Sequence, residues 1–511
     1  TMSIKKVEKE IFKIYEEIKQ RETIANHLAD EVHPDYRISA KNLYHYLVLR
    51  SFDLRKLHDE LSDLGISSIR TAEGYVLPKI QNVLKLLHLL QGKEWTPPNE
   101  LNAFNYKASK KRLSKHASQL LNKGRQKNVT EIMVTMPDEA AEDIELVRKL
   151  VAEGMEIARI NLGRGNLALW KNMIVNIKQV KRETKHPIKI YMDLAGPKIR
   201  TAKIEVLSKK GKVKKAIPLK VGDHLILTKR NTKGKKAKYG DQGKLVAPAE
   251  VGVQLPQIIN DLEIGQSVFF DDGTIEAIVI NKKDTDAELV INKSFKRKLG
   301  SDKGINLPST NLNLPSLTSY DLDLLPFVVK HANIVGYSFV RNAKDVALLH
   351  EELSKIPKAE NLGIVYKIET LEAFDNLPLI LLEAMKRANF GVMIARGDLA
   401  VEIGFERISE VQNQILWFCE AAHIPVIWAT QVLETLAKTG MATRAEISDA
   451  AISTQAECVM LNKGPYILEA VRKLKNILIK METHTSKKKS SLRALNVAKN
   501  VLEKIHHPVG G

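Results

Sequence analysis

Cysteine is nearly missing: only Cys419 and Cys458 occur in 511 residues. Two thiols cannot build a disulfide framework, and no cysteine-based metal spacing exists. Both lie in apolar surroundings and read as small core residues. A reducing cytoplasm is the expected setting. Apolar runs are short. None approaches the about 18 residues of a membrane span, so no membrane partner is expected. The first twenty residues are charged throughout (Lys5, Lys6, Glu8, Lys9, Glu10) and do not read as a secretory signal. No GxxxxGK[ST] occurs, so a P-loop does not carry phosphate here. Aromatics are scarce at 5%, and none interleaves with the lysine-rich stretches. A stacking platform for single-stranded nucleic acid needs such aromatics, so nucleic acid is not the favoured partner.

What is abundant is positive charge. The formal net charge is +19, concentrated in two stretches. Residues 107–127 hold eight Lys/Arg and no acid, and residues 201–250 hold 14 basic and 4 acidic residues. These read first as solvated lysine-rich surface. The apolar fraction of 44% with 27% charged residues is that of a globular chain of three or four domains.

Residues 1–127 read as helical. Ile4, Val7, Ile11, Ile14, Tyr15 and Ile18 form an amphipathic stripe, and similar patterns follow at 42–50, 53–63 and 72–91. After Lys127 short apolar runs alternate with helical patterns. The runs are Glu131–Met136, Ile157–Leu162, Ile188–Leu194, Ile334–Phe339, Gly363–Ile368, Phe390–Ala395, Pro425–Ala429 and Glu457–Leu461. Eight strand-plus-helix units predict an α/β fold, a (β/α)8 TIM barrel over 128–201 and 303–484. The gap between the third and fourth runs is too long for one connection. Its β-rich middle, 202–302, is expected to be a small inserted β domain, a lid. A Ser/Lys break at His484–Ser491 precedes a tail, 485–511, with a helix over Leu492–Ile505.

Barrel enzymes do their chemistry at the carboxyl ends of the strands. The polar residues there are Arg159 and Asn161 (strand two), Asp193 with Lys198 and Arg200 (three), and Ser338 with Arg341 (four). Lys367 and Glu369 follow on strand five, and Arg396, Gly397 and Asp398 on strand six. Thr430, Gln431 and Glu434 end strand seven; Asn462 and Lys463 end strand eight. Lys367 and Glu369 are two apart and share one face. Carboxylates to hold Mg²⁺, with Arg and Lys to neutralise phosphoryl oxygens, are the parts phosphoryl transfer needs. A structural ion-pair network at the rim is the alternative.

On these residues the sequence resembles the pyruvate kinase family. The segments Ile157-Ala-Arg-Ile-Asn-Leu, Asp193-Leu-Ala-Gly-Pro-Lys-Ile-Arg-Thr201, Asp271-Asp-Gly, Lys303-Gly-Ile-Asn-Leu-Pro308, Tyr366-Lys-Ile-Glu369, Ala395-Arg-Gly-Asp-Leu399, Ala429-Thr-Gln-Val-Leu-Glu434 and Thr443-Arg-Ala-Glu446 carry it, in the family's order. The resemblance implies transfer of the phosphoryl group of phosphoenolpyruvate to ADP, giving pyruvate and ATP. It implies Mg²⁺ (or Mn²⁺) on Glu369 and Asp398. Lys367, Arg159 and Thr430 take the catalytic roles. Lys367 and Arg159 hold the phosphoryl group, with Arg200 a further contact. Asn161, Lys198, Ser338, Arg396, Gly397, Asp398 and Thr430 line the substrate site. The Gly397–Asp398 backbone is similar to the family's cradle for the substrate carboxylate, and Thr430 resembles the residue that helps protonate the enolate through water.

Many members use K⁺. Here Gly163 and Leu194 replace two of its ligands, and Lys198 stands where those members carry Glu. A fixed ammonium supplies the same charge, so activity without K⁺ is expected. At the nucleotide end Arg164 replaces a His, and the segment after strand eight is cut to Met460-Leu-Asn-Lys-Gly-Pro465. Arg164 and Lys463 are the candidate nucleotide contacts, as point charges. The family's C-terminal regulatory domain has no counterpart in the 511 residues, which points to a homodimer through the barrel. Two other readings stay open: a related barrel enzyme with another phosphoryl acceptor or a lyase outcome, and a non-catalytic regulator that senses phosphoenolpyruvate or binds RNA through the basic stretches.

Overall fold

A computed structural model describes residues 3–66, 69–95, 104–122, 130–208, 210–482 and 494–506. Lys123, Arg125, Lys127, Lys209 and the Ser/Lys break at His484–Ser491 lie outside the described residues.

Eight parallel strands close into a barrel. They are β1 (Glu131–Thr135), β2 (Ile157–Asn161), β3 (Lys189–Asp193), β4 (Ile334–Tyr337), β5 (Gly363–Ile368), β6 (Phe390–Ala395), β7 (Val426–Ala429) and β8 (Cys458–Leu461). Each strand is flanked by helices outside and packed side chains inside, so all its residues but Asn161 and Lys189 are buried. That is why the strands read as continuous apolar runs rather than alternating ones. Both cysteines are fully buried, Cys458 within β8 and Cys419 in an outer helix.

The chain leaves the barrel after β3 and builds a separate six-stranded sheet before β4. In spatial order its strands are Ala249–Gly252, His224–Thr228, Asp286–Ser294, Ile275–Lys282, Ser267–Phe270 and Ile305–Asn306. The unit has its own apolar core around Leu225, Val268, Phe270, Ile275 and Leu289. Its last strand lies past the 302 boundary read from sequence, because Ile305 and Asn306 pair with Phe270 and Phe269. The outgoing and returning segments run antiparallel as a ribbon: Thr201 N donates to Lys303 O and Ile305 N to Ile199 O, both at 2.9 Å.

The N-terminal segment is helical as expected. In the helix Ile4–Gln20 the stripe residues Val7, Ile11, Ile14 and Ile18 are buried. Helices Arg37–Arg50 and Val76–Leu89 complete a layer against the barrel's outer helices. Asn42 Nδ2 donates to Ala421 O at 2.7 Å, and Ser39 Oγ lies 2.8 Å from His423 Nδ1. The helix Tyr106–Leu120 closes the barrel's lower mouth. Leu120 and Leu121 join Met133, Ile157, Val365 and Met393 in the inner core. Two strand-entry glycines make room: a Cβ on Gly363 would stand 2.8 Å from Leu120 Cδ1, and one on Gly391 2.5 Å from Leu120 Cδ2. Lys189 Nζ donates to the carbonyls of Gln119 (3.0 Å) and Leu120 (2.9 Å), satisfying a helix C-terminus that would otherwise be buried unpaired. The helix Asn496–His506 packs back on the N-terminal helices, with Leu495 N donating to Arg50 O.

Candidate active site

A polar cavity of about 560 Å³ opens at the carboxyl ends of the barrel strands, under the inserted sheet. Arg159, Asn161, Arg164, Lys198, Arg200, Ser338, Lys367, Glu369, Gly397, Asp398, Thr430 and Lys463 all line it. Parity places them: Arg159 and Asn161 alternate with apolar neighbours on β2, and Asn161 lies in register with Asp193 on β3.

At the centre is a buried charge array. Asp193 Oδ2 accepts from Arg159 Nε at 2.8 Å, lies 2.7 Å from Arg159 Nη2, and accepts from Lys367 Nζ at 3.3 Å. Lys367 also donates to Ser338 Oγ (3.1 Å) and stands 3.4 Å from Glu369 Oε1. Ser338 Oγ donates in turn to Leu194 O at 2.8 Å. Arg159 Nη1 donates to Thr135 Oγ1 at 2.8 Å. Burial alone would raise the Asp193 carboxyl, but Lys367 and Arg159 outweigh it and hold it below the usual carboxylate range. Burial would lower Lys367; Asp193 and Glu369 outweigh that and raise it, so the ammonium stays charged. Glu369 goes the other way, raised by burial and by the like charge of Asp398 against the pull of Lys367. Its Oε2 accepts from Phe339 N at 2.6 Å.

The Asp398 carboxylate is held from the ribbon. Lys198 Nζ is 3.0 Å from Oδ2, and Asn306 Nδ2 is 3.4 Å from both Asp398 Oδ1 and Glu402 Oε1. Burial, with the Asp398 charge adding, pushes Glu402 up to about 7. Arg200 donates to Asp302 O at 3.0 Å while lining the cavity.

Two residues have partners that the sequence does not show. Arg396 does not line the cavity. It donates to Asp449 Oδ2 and Thr430 O (both 2.8 Å) and to Ala429 O (3.2 Å), and stacks on Trp428. Its planar fork fits a carboxylate and two carbonyls at once, so it shapes the turn after β7 from behind. The Gly397 N–H does not point free into the cavity; it donates to Thr430 Oγ1 at 2.7 Å. Thr430 itself lies beyond β7 with φ 62°, followed by Gln431 at φ 57°. A β-branched residue in the left-handed region is strained, and strain of this kind gathers at functional sites.

At the far end, Asn161 Oδ1 accepts from Gly163 N, Lys463 pairs with Asp138 at 2.9 Å, and Lys438 pairs with Glu434 at 3.0 Å. Asp138, Asp272 and Lys438 line the cavity too, none of them given a role from sequence. Asp272 sits in the Asp271-Asp-Gly motif, and Lys438 follows Glu434 at helical spacing. Those signals were present.

A closed (β/α)8 barrel, a charged carboxyl-end cavity and a β unit inserted after the third strand define the class. The pyruvate kinase barrel domain, as a sequence family, matches residues 127–471. The chain belongs to the pyruvate kinase family. Pyruvate kinases of Staphylococcus aureus strains USA300 and NCTC 8325 are each 32% identical to it over 361 residues, 68% of this chain and 56% of theirs. The chain thus spans just over half the length of those relatives. A solved pyruvate kinase from Cryptosporidium parvum superposes with a TM-score of 0.60 at 27% identity, over 73% of this chain and 71% of that one.

Proposed function

We propose that this chain transfers the phosphoryl group of phosphoenolpyruvate to ADP, giving pyruvate and ATP, and does so without K⁺. The observation that carries this reading is the buried Arg159–Asp193–Lys367 array beside the carboxylates of Glu369 and Asp398 in one cavity.

Among the described residues no group of three or more His, Cys, Asp or Glu gathers as a metal cage. Mg²⁺ does not need one: it takes one or two carboxylates and completes its shell with water and substrate oxygens. Glu369 and Asp398 fit it, because Glu369 is held up by burial and by the Asp398 charge, a pairing that a cation relieves. Bound there, Mg²⁺ or Mn²⁺ supplies positive charge to the phosphoryl and substrate oxygens. Lys367 and Arg159 neutralise the phosphoryl oxygens from the β5 and β2 side, and Arg200 adds charge from the ribbon. Lys198 places an ammonium beside the same carboxylate pair. Thr430 Oγ stands next to Gly397 N, where it can orient a substrate carboxylate and relay a proton through water to the enolate carbon.

A second reading concerns the acceptor. Lys463 and Lys438 are already paired with Asp138 and Glu434, so a diphosphate at that end competes with acids for them. Another phosphoryl acceptor is the alternative this favours.

The test is pyruvate formation from phosphoenolpyruvate, ADP and Mg²⁺, first without K⁺ and then with it, with Lys367→Met as control. Turnover without K⁺ that the variant loses is expected. Phosphoenolpyruvate binding with no turnover on ADP or other nucleoside diphosphates would move the reading to another acceptor.

A further inference from the structure

Asp193 is shared by the two cations of the array, and something must fix it. Its second oxygen answers that. Tyr191, two residues earlier on β3 and therefore on the same face, donates its phenolic hydrogen to Asp193 Oδ1 at 2.9 Å. The ring is fully buried inside the barrel. The neighbouring strand, paired with β3, leaves the space for this bond. A Cβ on Gly336 of β4 would stand 2.0 Å from Asp193 Oδ1 and 2.1 Å from the Tyr191 oxygen, so only glycine fits there. Each oxygen of Asp193 is thus committed, Oδ1 to Tyr191 and Oδ2 to Arg159 and Lys367. Burial and the Asp193 charge push the Tyr191 phenol well above its ordinary value, so it remains a donor at any working pH.

We infer that Tyr191 is a positioning residue for the proposed phosphoryl transfer, fixing the Arg159–Lys367 pair through Asp193. The inference rests on the function proposed above. Tyr191 does not line the cavity. Its effect is transmitted by orientation: with Oδ1 pinned, the carboxylate cannot rotate, and the two cations keep one spacing.

The test is a double-mutant cycle of Tyr191→Phe and Asp193→Asn, with folding checked by circular dichroism and melting temperature. Tyr191→Phe keeps the ring and removes one hydrogen bond to a charged group. Its kcat/KM is expected to fall roughly 10- to 100-fold. Phosphoenolpyruvate affinity, read from tryptophan fluorescence, should fall by a smaller factor, because the array works on charge that develops in the transition state. In the Asp193→Asn background the same change should cost little more, because the path is already broken. A Tyr191→Phe variant within about twofold of the parent in both readouts, or one whose loss is as large in the Asp193→Asn background, would overturn the inference. Absence of turnover in the unaltered chain would count against the function instead, and the affinity cycle would still judge Tyr191.

Discussion

Lys198 Nζ stands 3.0 Å from Asp398 Oδ2, joining the ribbon that carries the inserted sheet to a carboxylate of the candidate metal site. The outgoing ribbon strand holds one oxygen of Asp398, and the returning strand, through Asn306, holds the other. In the proposed reaction this fixed positive charge takes the place of a bound monovalent cation. Lys198→Glu reverses it and places a third carboxylate next to Glu369 and Asp398. Turnover without K⁺ is expected to fall at least about 10-fold, with part restored by added K⁺ at constant ionic strength. Equal rates for parent and variant without K⁺ would remove Lys198 from the argument.

Thr430 is strained, at φ 62°, and held by two contacts: its carbonyl accepts from Arg396 and its hydroxyl from Gly397 N. Thr430→Ser keeps the hydroxyl and should retain most of the rate. Thr430→Ala frees the Gly397 N–H and removes the proposed proton relay. Its kcat should drop by about 10²-fold or more, while its melting temperature changes little, since relief of the β-branched strain offsets the hydrogen bond lost from Gly397 N. Equal rates for the Ser and Ala variants would exclude the hydroxyl.

Much of this was legible in the sequence, for a physical reason. Parallel barrel strands are buried on both faces, so each appears as an apolar run, and its end marks a rim position; Lys367, Glu369 and Asp398 could be placed that way. What escaped depends on partners distant in sequence. Arg396 stands at the rim in sequence, but the acid that pairs with it, Asp449, comes 53 residues later. Tyr191 looked like one more apolar strand residue until Gly336 showed the space for its hydroxyl. Ile305 and Asn306 were given to the barrel because two residues carry no strand signal. A left-handed threonine leaves no mark in composition or periodicity.

The barrel's lower mouth is sealed by Leu120, which fills the space two glycines vacate. Leu120→Ala should cost about 2–5 kcal/mol of stability, the range for a buried Leu that leaves a cavity. Rates for the folded fraction should be near those of the parent, because the plug lies at the opposite end from the cavity. Equilibrium urea unfolding monitored by tryptophan fluorescence reads the cost. A loss under about 0.5 kcal/mol, as at a surface position, would mean the helix Tyr106–Leu120 does not seal the barrel.

Glu402 carries a penalty with a defined pH window. Burial, together with Asp398, raises its carboxyl from 4.5 to about 7 in the folded chain. The folded state therefore binds a proton more tightly than the unfolded state. Stability contributed by this group is full below about 4.5, declines as pH rises through about 7, and is flat above. Glu402→Gln keeps an oxygen for Asn306 and removes the titration. Relative to the parent, the variant should gain roughly 1–3 kcal/mol at pH 8 and little at pH 5, by urea unfolding at both pH values. An equal effect at the two pH values would show that Glu402 does not titrate between them. A gain confined to pH 8 would place an ionised, buried carboxylate directly behind Asp398 under working conditions.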